Sequence, residues 1–190
     1  MVTLNFTAID FETANRNPAS ACAVGLVRVR DGKIVDGYSQ IFEPPKPYEW
    51  FENGNIAIHG IHPSDVADGP KYEAVLASML DFIGEDVLVA HNAPFDMGVL
   101  RASAEALNFE LPNINYGCSL EISRKTYHLE SYRLNSVAYA IGHEEFKHHD
   151  ALADADACAR IIIHAADRHG VDSFEELLQF LGKKLKPLNV

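Results

Sequence analysis

The stretch that most restricts the fold is Val87-Leu88-Val89-Ala90, a continuous apolar run between Gly84-Glu85-Asp86 and His91-Asn92-Ala93-Pro94. Four residues are too few for a buried helix, and the polar alternation of a half-exposed strand is missing. Such a strand needs cover on both faces, which is the setting of a sheet sandwiched by helices. The flanks supply candidates for that cover. Tyr72, Val75, Leu76, Met79, Leu80 and Ile83 recur at helical spacing up to Gly84, and Pro94 opens a second helical stretch that runs to Leu107.

The first forty residues have the other period. Leu4 to Ile9 reads as a strand that ends on Asp10, and Cys22–Arg30 and Lys33–Phe42 read as two more. Asp31-Gly32 between the latter two predicts a tight hairpin. Pro44, Pro45 and Pro47 then stop the sheet, and Tyr48–Gly69 reads as loop with one short helix. Downstream, Ile114–Leu120 is a weaker strand, Leu134–Ala140 a short helix, and Ala151–Arg168 a long helix rich in Ala and Ile. Ser173, with Glu176 three residues on, caps a last helix over Phe174–Leu181. The expected class is α/β: an antiparallel three-strand meander followed by parallel strands, one mixed sheet flanked by helices. No linker divides the chain, so a single domain over residues 1–190 is expected, with a C-terminal helix and basic tail over 173–190.

Charge narrows the function. Against 27 Asp and Glu stand 16 Lys and Arg, a net −11 over 190 residues. That balance excludes a polybasic arm or membrane patch as the main binding device. No apolar run reaches the ~18 residues of a membrane span, and Met1 to Asp10 lacks the basic start of a signal peptide. Cys22, Cys118 and Cys158 are far apart and have no CxxC spacing, which fits reduced thiols and a cytoplasmic location. An acidic chain can still handle nucleic acid if its carboxylates hold metal ions.

Three places offer such carboxylates. Asp10 and Glu12, two apart on a strand, project from the same face. Two carboxylates so close repel unless a cation lies between them, and hard oxygen ligands suit Mg²⁺ or Mn²⁺. The second place is His91-Asn92-Ala93-Pro94-Phe95-Asp96, directly after the buried strand, where α/β sheets gather ligands. Asn92 there also suits a helix N-cap, and Asp96 the positive end of that helix. The third is His149-Asp150-Ala151-Leu152-Ala153-Asp154, entering the long helix. Asp156 lies about 200° round the helix from Asp154, so the two cannot share a site. His148 competes with His149 as the imidazole, and spacing does not choose between them.

Each motif alone is common; their conjunction in this order is not. Together they resemble the DEDDh 3′–5′ exonucleases, the group that includes the proofreading epsilon subunit of bacterial DNA polymerase III, ribonuclease T and oligoribonuclease. The resemblance covers roughly residues 6–168. It extends to Ile58-His59-Gly60-Ile61 and to Tyr132-Arg133-Leu134-Asn135-Ser136-Val137-Ala138, and is nearest to the small stand-alone epsilon-like type. At Phe11 and Ala14 the chain departs from the small or hydroxyl residues usual in proofreading subunits.

The resemblance implies a ribonuclease H-like fold and two divalent ions, Mg²⁺ or Mn²⁺. Asp10, Glu12, Asp96 and Asp154 would be their ligands, Asp10 bridging both. His149 would be the general base. It further implies that Phe11, Thr13, His59, Asn92 and Phe95 line the terminal nucleotide, with stacking on an aromatic ring indifferent to base identity. For His59 the alternative is a loop histidine satisfied locally. The substrate expected is the 3′ end of single-stranded or frayed DNA. The alternatives are short RNA ends, or a catalytically silent nucleic-acid-binding subunit on the same fold. Polymerase association is compatible with the sequence but not indicated by it. Trp50 is expected in core packing or loop anchoring, and Lys183, Lys184 and Lys186 as a solvated tail.

Overall fold

A computed structural model describes residues 2–143 and 146–188. Its strands are β1 (Phe6–Thr13), β2 (Ala21–Arg30), β3 (Lys33–Ile41), β4 (Leu88–Ala90), β5 (Asn115–Cys118) and β6 (Lys186–Pro187). Its helices are α1 (Asn53–His59), α2 (Pro63–Val66), α3 (Tyr72–Ile83), α4 (Ala93–Ala106), α5 (Ser119–Thr126), α6 (Leu134–Ala140), α7 (Ala151–His169) and α8 (Phe174–Phe180). The strands form one sheet in the order β3-β2-β1-β4-β5-β6. The β1–β2 and β2–β3 pairs are antiparallel, β1–β4 and β4–β5 parallel, and β5–β6 antiparallel. This is the expected mixed α/β sheet.

Sequence explains the turns and the two-sided cover. Asp31 and Gly32 both take positive φ, 49° and 72°, the type I′ pattern of a two-residue hairpin. Alternation along β1 sends Ile9 and Phe11 into a core with α3 and α4, while Phe6 and Ala8 face the core built on α7 and α8. Leu88 and Ala90 belong to the first core and Val89 to the second, so β4 is covered on both faces as its composition demands.

Several boundaries differ from expectation for identifiable reasons. β1 does not stop at Asp10 but runs to Thr13, because β2 goes on pairing with it as far as Ala21. The segment after the prolines holds two short helices rather than one. The stretch expected to be a strand to Leu120 turns helical at Ser119, as α5. The basic tail is not simply solvated. Lys183 and Lys186 both pair with Glu121, at 2.8 and 2.7 Å, and Leu188 is buried behind the edge strand β6. Arg101 donates to the Leu188 carbonyl and so ties down the tail.

Ser173 caps α8 by accepting from the Glu176 amide, but Glu176 accepts from Asp172 rather than from the cap residue itself. Trp50 is half-exposed, which excludes core packing. Its carbonyl accepts from Asn15, anchoring the loop through the backbone. Cys22, Cys118 and Cys158 are free and buried. Among the described residues no helix is long and apolar enough to cross a membrane.

Candidate active site

Three elements bring the acidic residues together. Asp10 and Glu12 stand on the α7 face of β1, and a bulge at Glu12/Thr13 shifts the pairing with β2 so that Ala23 faces Glu12 and Ala21 faces Thr13. Bulges of this kind re-aim side chains beside functional sites. Asp154 comes from the start of α7. Its approach depends on Gly25, the cross-strand partner of Asp10: a Cβ there would lie 2.2 Å from the Ala151 carbonyl carbon and oxygen. No other residue lets the N-terminus of α7 sit directly on β2. Asp150 caps that helix by accepting from the Ala153 amide, at 3.2 Å. Asp156 points away, paired with Arg160 and close to His143, as the helical spacing requires.

Asp96 arrives from the other side of the sheet. The β1–β4 ladder pairs only Thr7 with Leu88 and Ala8 with Val89, so the Phe11 amide extends past the end of β4. Asp96, in the first turn of α4, accepts from that amide at 3.1 Å, a bond that extends the ladder with a side chain. The turn into α4 is made by Asn92 in the left-handed region, φ 72°, an excursion that Asn tolerates better than most residues. Asn92 holds the N-cap position but its side chain makes no capping bond.

The result is a set of carboxylates that needs a cation. Oxygens of Asp10, Glu12 and Asp154 all lie within 4.8 Å of one another. Burial pushes Asp10 well above the usual carboxylate range, and Asp96, Asp154, Glu12 and Asp150 push it further. Glu12 is raised to about 8, by burial first and then by Asp154 and Asp96. Asp96 also reaches about 8, through burial that outweighs the Phe11 hydrogen bond. An all-oxygen donor set under this repulsion fits hard divalent ions such as Mg²⁺ or Mn²⁺.

The two histidines divide their roles through the backbone. His149 takes φ 67°, and its amide donates to Asp154 Oδ2 at 3.0 Å. His148 instead uses its ring, with Nδ1 2.8 Å from Asp154 Oδ1. The His149 imidazole therefore remains unengaged by Asp154 and stacks on His148, ring centres 3.9 Å apart. Burial and His148 hold its pKa below the usual histidine value, opposed by Asp154.

These groups open into a cleft of about 570 Å³ whose walls include Asp10, Glu12, Asp154, His149 and His148. Phe95 and Ile58 stand half-exposed at its lip. Thr13 and His59 are among its walls, and His59 is satisfied locally. Its Nε2 donates to the Thr13 carbonyl and its Nδ1 accepts from the Ile61 amide. Phe11 reaches the cleft while its ring is buried in the core, so its contribution there is the amide that holds Asp96. Asn92 is exposed and lies outside the residues that line the cleft.

Sequence reasoning did not single out several wall residues, Asn55, Asn15 and His91 among them. Asn55 donates to both the carbonyl and the hydroxyl of Thr13. Asn15 donates to the carbonyls of Tyr48 and Trp50, tying the β1–β2 loop to the segment before α1. His91 spans from Ser119 to the Tyr132 carbonyl, 2.8 Å each, fixing the end of β4 to the start of α5 and to the segment before α6. Only the Asn-rich loop composition hinted at the first two.

The exonuclease family model RNase_T matches residues 7–162. The PolC-type DNA polymerase III of Thermotoga petrophila is 31% identical over 163 residues, which cover 83% of this chain and 12% of the polymerase. That of Listeria monocytogenes is 28% identical over 185 residues, 94% of this chain and 13% of the polymerase. The chain thus spans about an eighth of the length of these curated relatives.

Among solved structures, Exonuclease X in complex with 5′ overhanging duplex DNA superposes with a TM-score of 0.70 at 28% identity, covering 87% of this chain and 93% of that one. The nuclease domain of 3′hExo, a DEDDh family member bound to rAMP, gives 0.76 at 17% identity over 88% and 94%, a likeness of fold. With the family match running through all three motifs, the chain belongs to the exonuclease family.

Proposed function

We propose that the protein is a metal-dependent 3′–5′ exonuclease that removes nucleoside monophosphates from the end of single-stranded or frayed DNA. The observation that carries this reading is the convergence of Asp10, Glu12 and Asp154 within 4.8 Å, beside buried Asp96. These four residues would hold two divalent ions, Mg²⁺ or Mn²⁺. Ions there would supply charge cancellation on the scissile phosphate and a more acidic attacking water. The chain's own groups do the rest. The His149 imidazole, free of Asp154, accepts the proton of the attacking water, and its lowered pKa keeps it in the neutral, accepting form near pH 7. Phe95 and Ile58 flank the terminal base, and the Thr13–Asn55 wall meets the sugar.

Residues 15–18 line the cleft, and Asn15 and the Glu52 amide on the Ala14 carbonyl tie that loop to residues 48–52. A digestion series tests the proposal, using 5′-labelled single-stranded DNA, duplex DNA and RNA with Mg²⁺, Mn²⁺ or EDTA. The expected result is a ladder shortening from the 3′ end of DNA, lost with EDTA. His149→Gln should lower its rate by about 10²–10⁴, and Asp10→Asn should also lose the ions. Internal cuts, activity in EDTA, or RNA degraded in preference to DNA would overturn the corresponding part of the reading.

A further inference from the structure

Asp154 belongs to two ligand sets at once. One is the all-oxygen group of Asp10, Glu12 and Asp154; the other is His148, His149 and Asp154, whose donor atoms also lie within 4.8 Å of one another. The second set is built by the backbone. His149 takes φ 67°, and donor atoms of both imidazoles lie within 4.8 Å of the Asp154 carboxylate. The rings stack at 3.9 Å, His148 Nδ1 sits 2.8 Å from Oδ1, and the His149 amide fixes Oδ2 at 3.0 Å. Such a left-handed excursion in a residue with a side chain persists only where its surroundings hold it. Here both carboxylate oxygens do so.

The two sets differ in chemical taste. Carboxylate oxygens suit Mg²⁺ and Mn²⁺, whereas two imidazoles and one carboxylate suit a borderline ion such as Zn²⁺, for which Mg²⁺ is a poor competitor at nitrogen. We propose that His148, His149 and Asp154 form a Zn²⁺-selective inhibitory site. Occupation of this site withdraws Asp154 from the hard-ion set and His149 from proton transfer. Binding replaces the Nδ1 hydrogen bond of His148 to Asp154. The inhibitory consequence rests on the proposed nuclease role of Asp154 and His149; the metal site itself does not.

The test is spectroscopic first. Zinc K-edge absorption fine structure of the whole chain loaded with one equivalent of Zn²⁺ should show two imidazole scatterers per metal, and His148→Gln should show one. By competition with a chromophoric chelator, His148→Gln should weaken Zn²⁺ by at least ~10-fold, while Glu12→Gln should leave Zn²⁺ unchanged and weaken Mn²⁺. Electron paramagnetic resonance should find Mn²⁺ displaced by one equivalent of Zn²⁺ in the wild type and retained in His148→Gln. An all-oxygen shell around zinc in the wild type overturns the proposal whatever the variants do. Nitrogen-bound zinc in a protein without nuclease activity would leave this site standing and remove the nuclease reading instead.

Discussion

At the scale of single residues, the buried carboxylates Glu12 and Asp96 are held in a form that water would not choose. Glu12 and Asp96 reach about 8 because burial and neighbouring charge oppose ionisation. Their folded pKa values lie above the unfolded ones, so the stability they confer is complete below about pH 4 and is lost as pH rises through about 8. A divalent ion reverses this by favouring the ionised forms. In EDTA, the melting temperature should therefore fall between about pH 5 and pH 9, and Mg²⁺ or Mn²⁺ should remove most of that fall. A flat EDTA profile across this range would show that the carboxylates do not repel as their placement requires. His148 and His149 show how little spacing alone decides. Both precede α7, and only the backbone turn at His149 assigns one ring to Asp154 and leaves the other to the cleft.

At the scale of elements, the site depends on how closely α7 lies on β2. Gly25 permits that approach next to Asp10, and a methyl there meets main-chain atoms that cannot rotate away. Gly25→Ala should destabilise the protein by about 1–3 kcal/mol, as overpacking does. By lifting Asp154 from Asp10, it should also weaken Mn²⁺ binding. Gly37→Ala is the control: its Cβ would find Leu152 Cδ1 at an ordinary 3.5 Å, so stability and Mn²⁺ affinity should hardly move. Denaturant midpoints and Mn²⁺ titrations on the pair decide this, and equal behaviour of the two variants would refute it. Element type was legible in sequence wherever periodicity was long, as in α3 and α7, or where turn chemistry was specific, as at Asp31-Gly32. It was illegible at α5 and β6. Ser119 turns helical where β5 ends, and the two-residue strand of the tail exists through pairing with Asn115 and Tyr116 and the clamp on Glu121.

At the scale of the whole molecule, the surface stays acidic. The four site carboxylates account for about −4 of the net −11, and two divalent ions would leave the chain near −7 with a roughly neutral site. On the proposed reading, such a protein grips the last nucleotides of a strand through its site rather than along a basic track. Each phosphate neutralised on a single strand contributes a slope of about −0.7 in log affinity against log salt, so two or three contacts predict a slope near −2 or shallower. Binding of the His149→Gln variant, which keeps all four carboxylates, to a 5′-fluorescent oligonucleotide with Mg²⁺ present over a KCl series measures it. A slope steeper than about −4 would reveal a phosphate track that this surface does not offer.

The sequence by itself determined what depends on local chemistry: the hairpin at Asp31-Gly32, the two-sided burial of Val87–Ala90, the opposed faces of Asp154 and Asp156, and the residue types able to hold hard cations. Tertiary structure alone decided which groups meet. Asp96 joins Asp10 only because β4 ends early and leaves the Phe11 amide to be claimed. Asp154 does so only because Gly25 lets a helix touch the sheet. Contacts across 85 or more residues depend on where strands stop and how closely layers pack, and a linear pattern of residue types encodes neither.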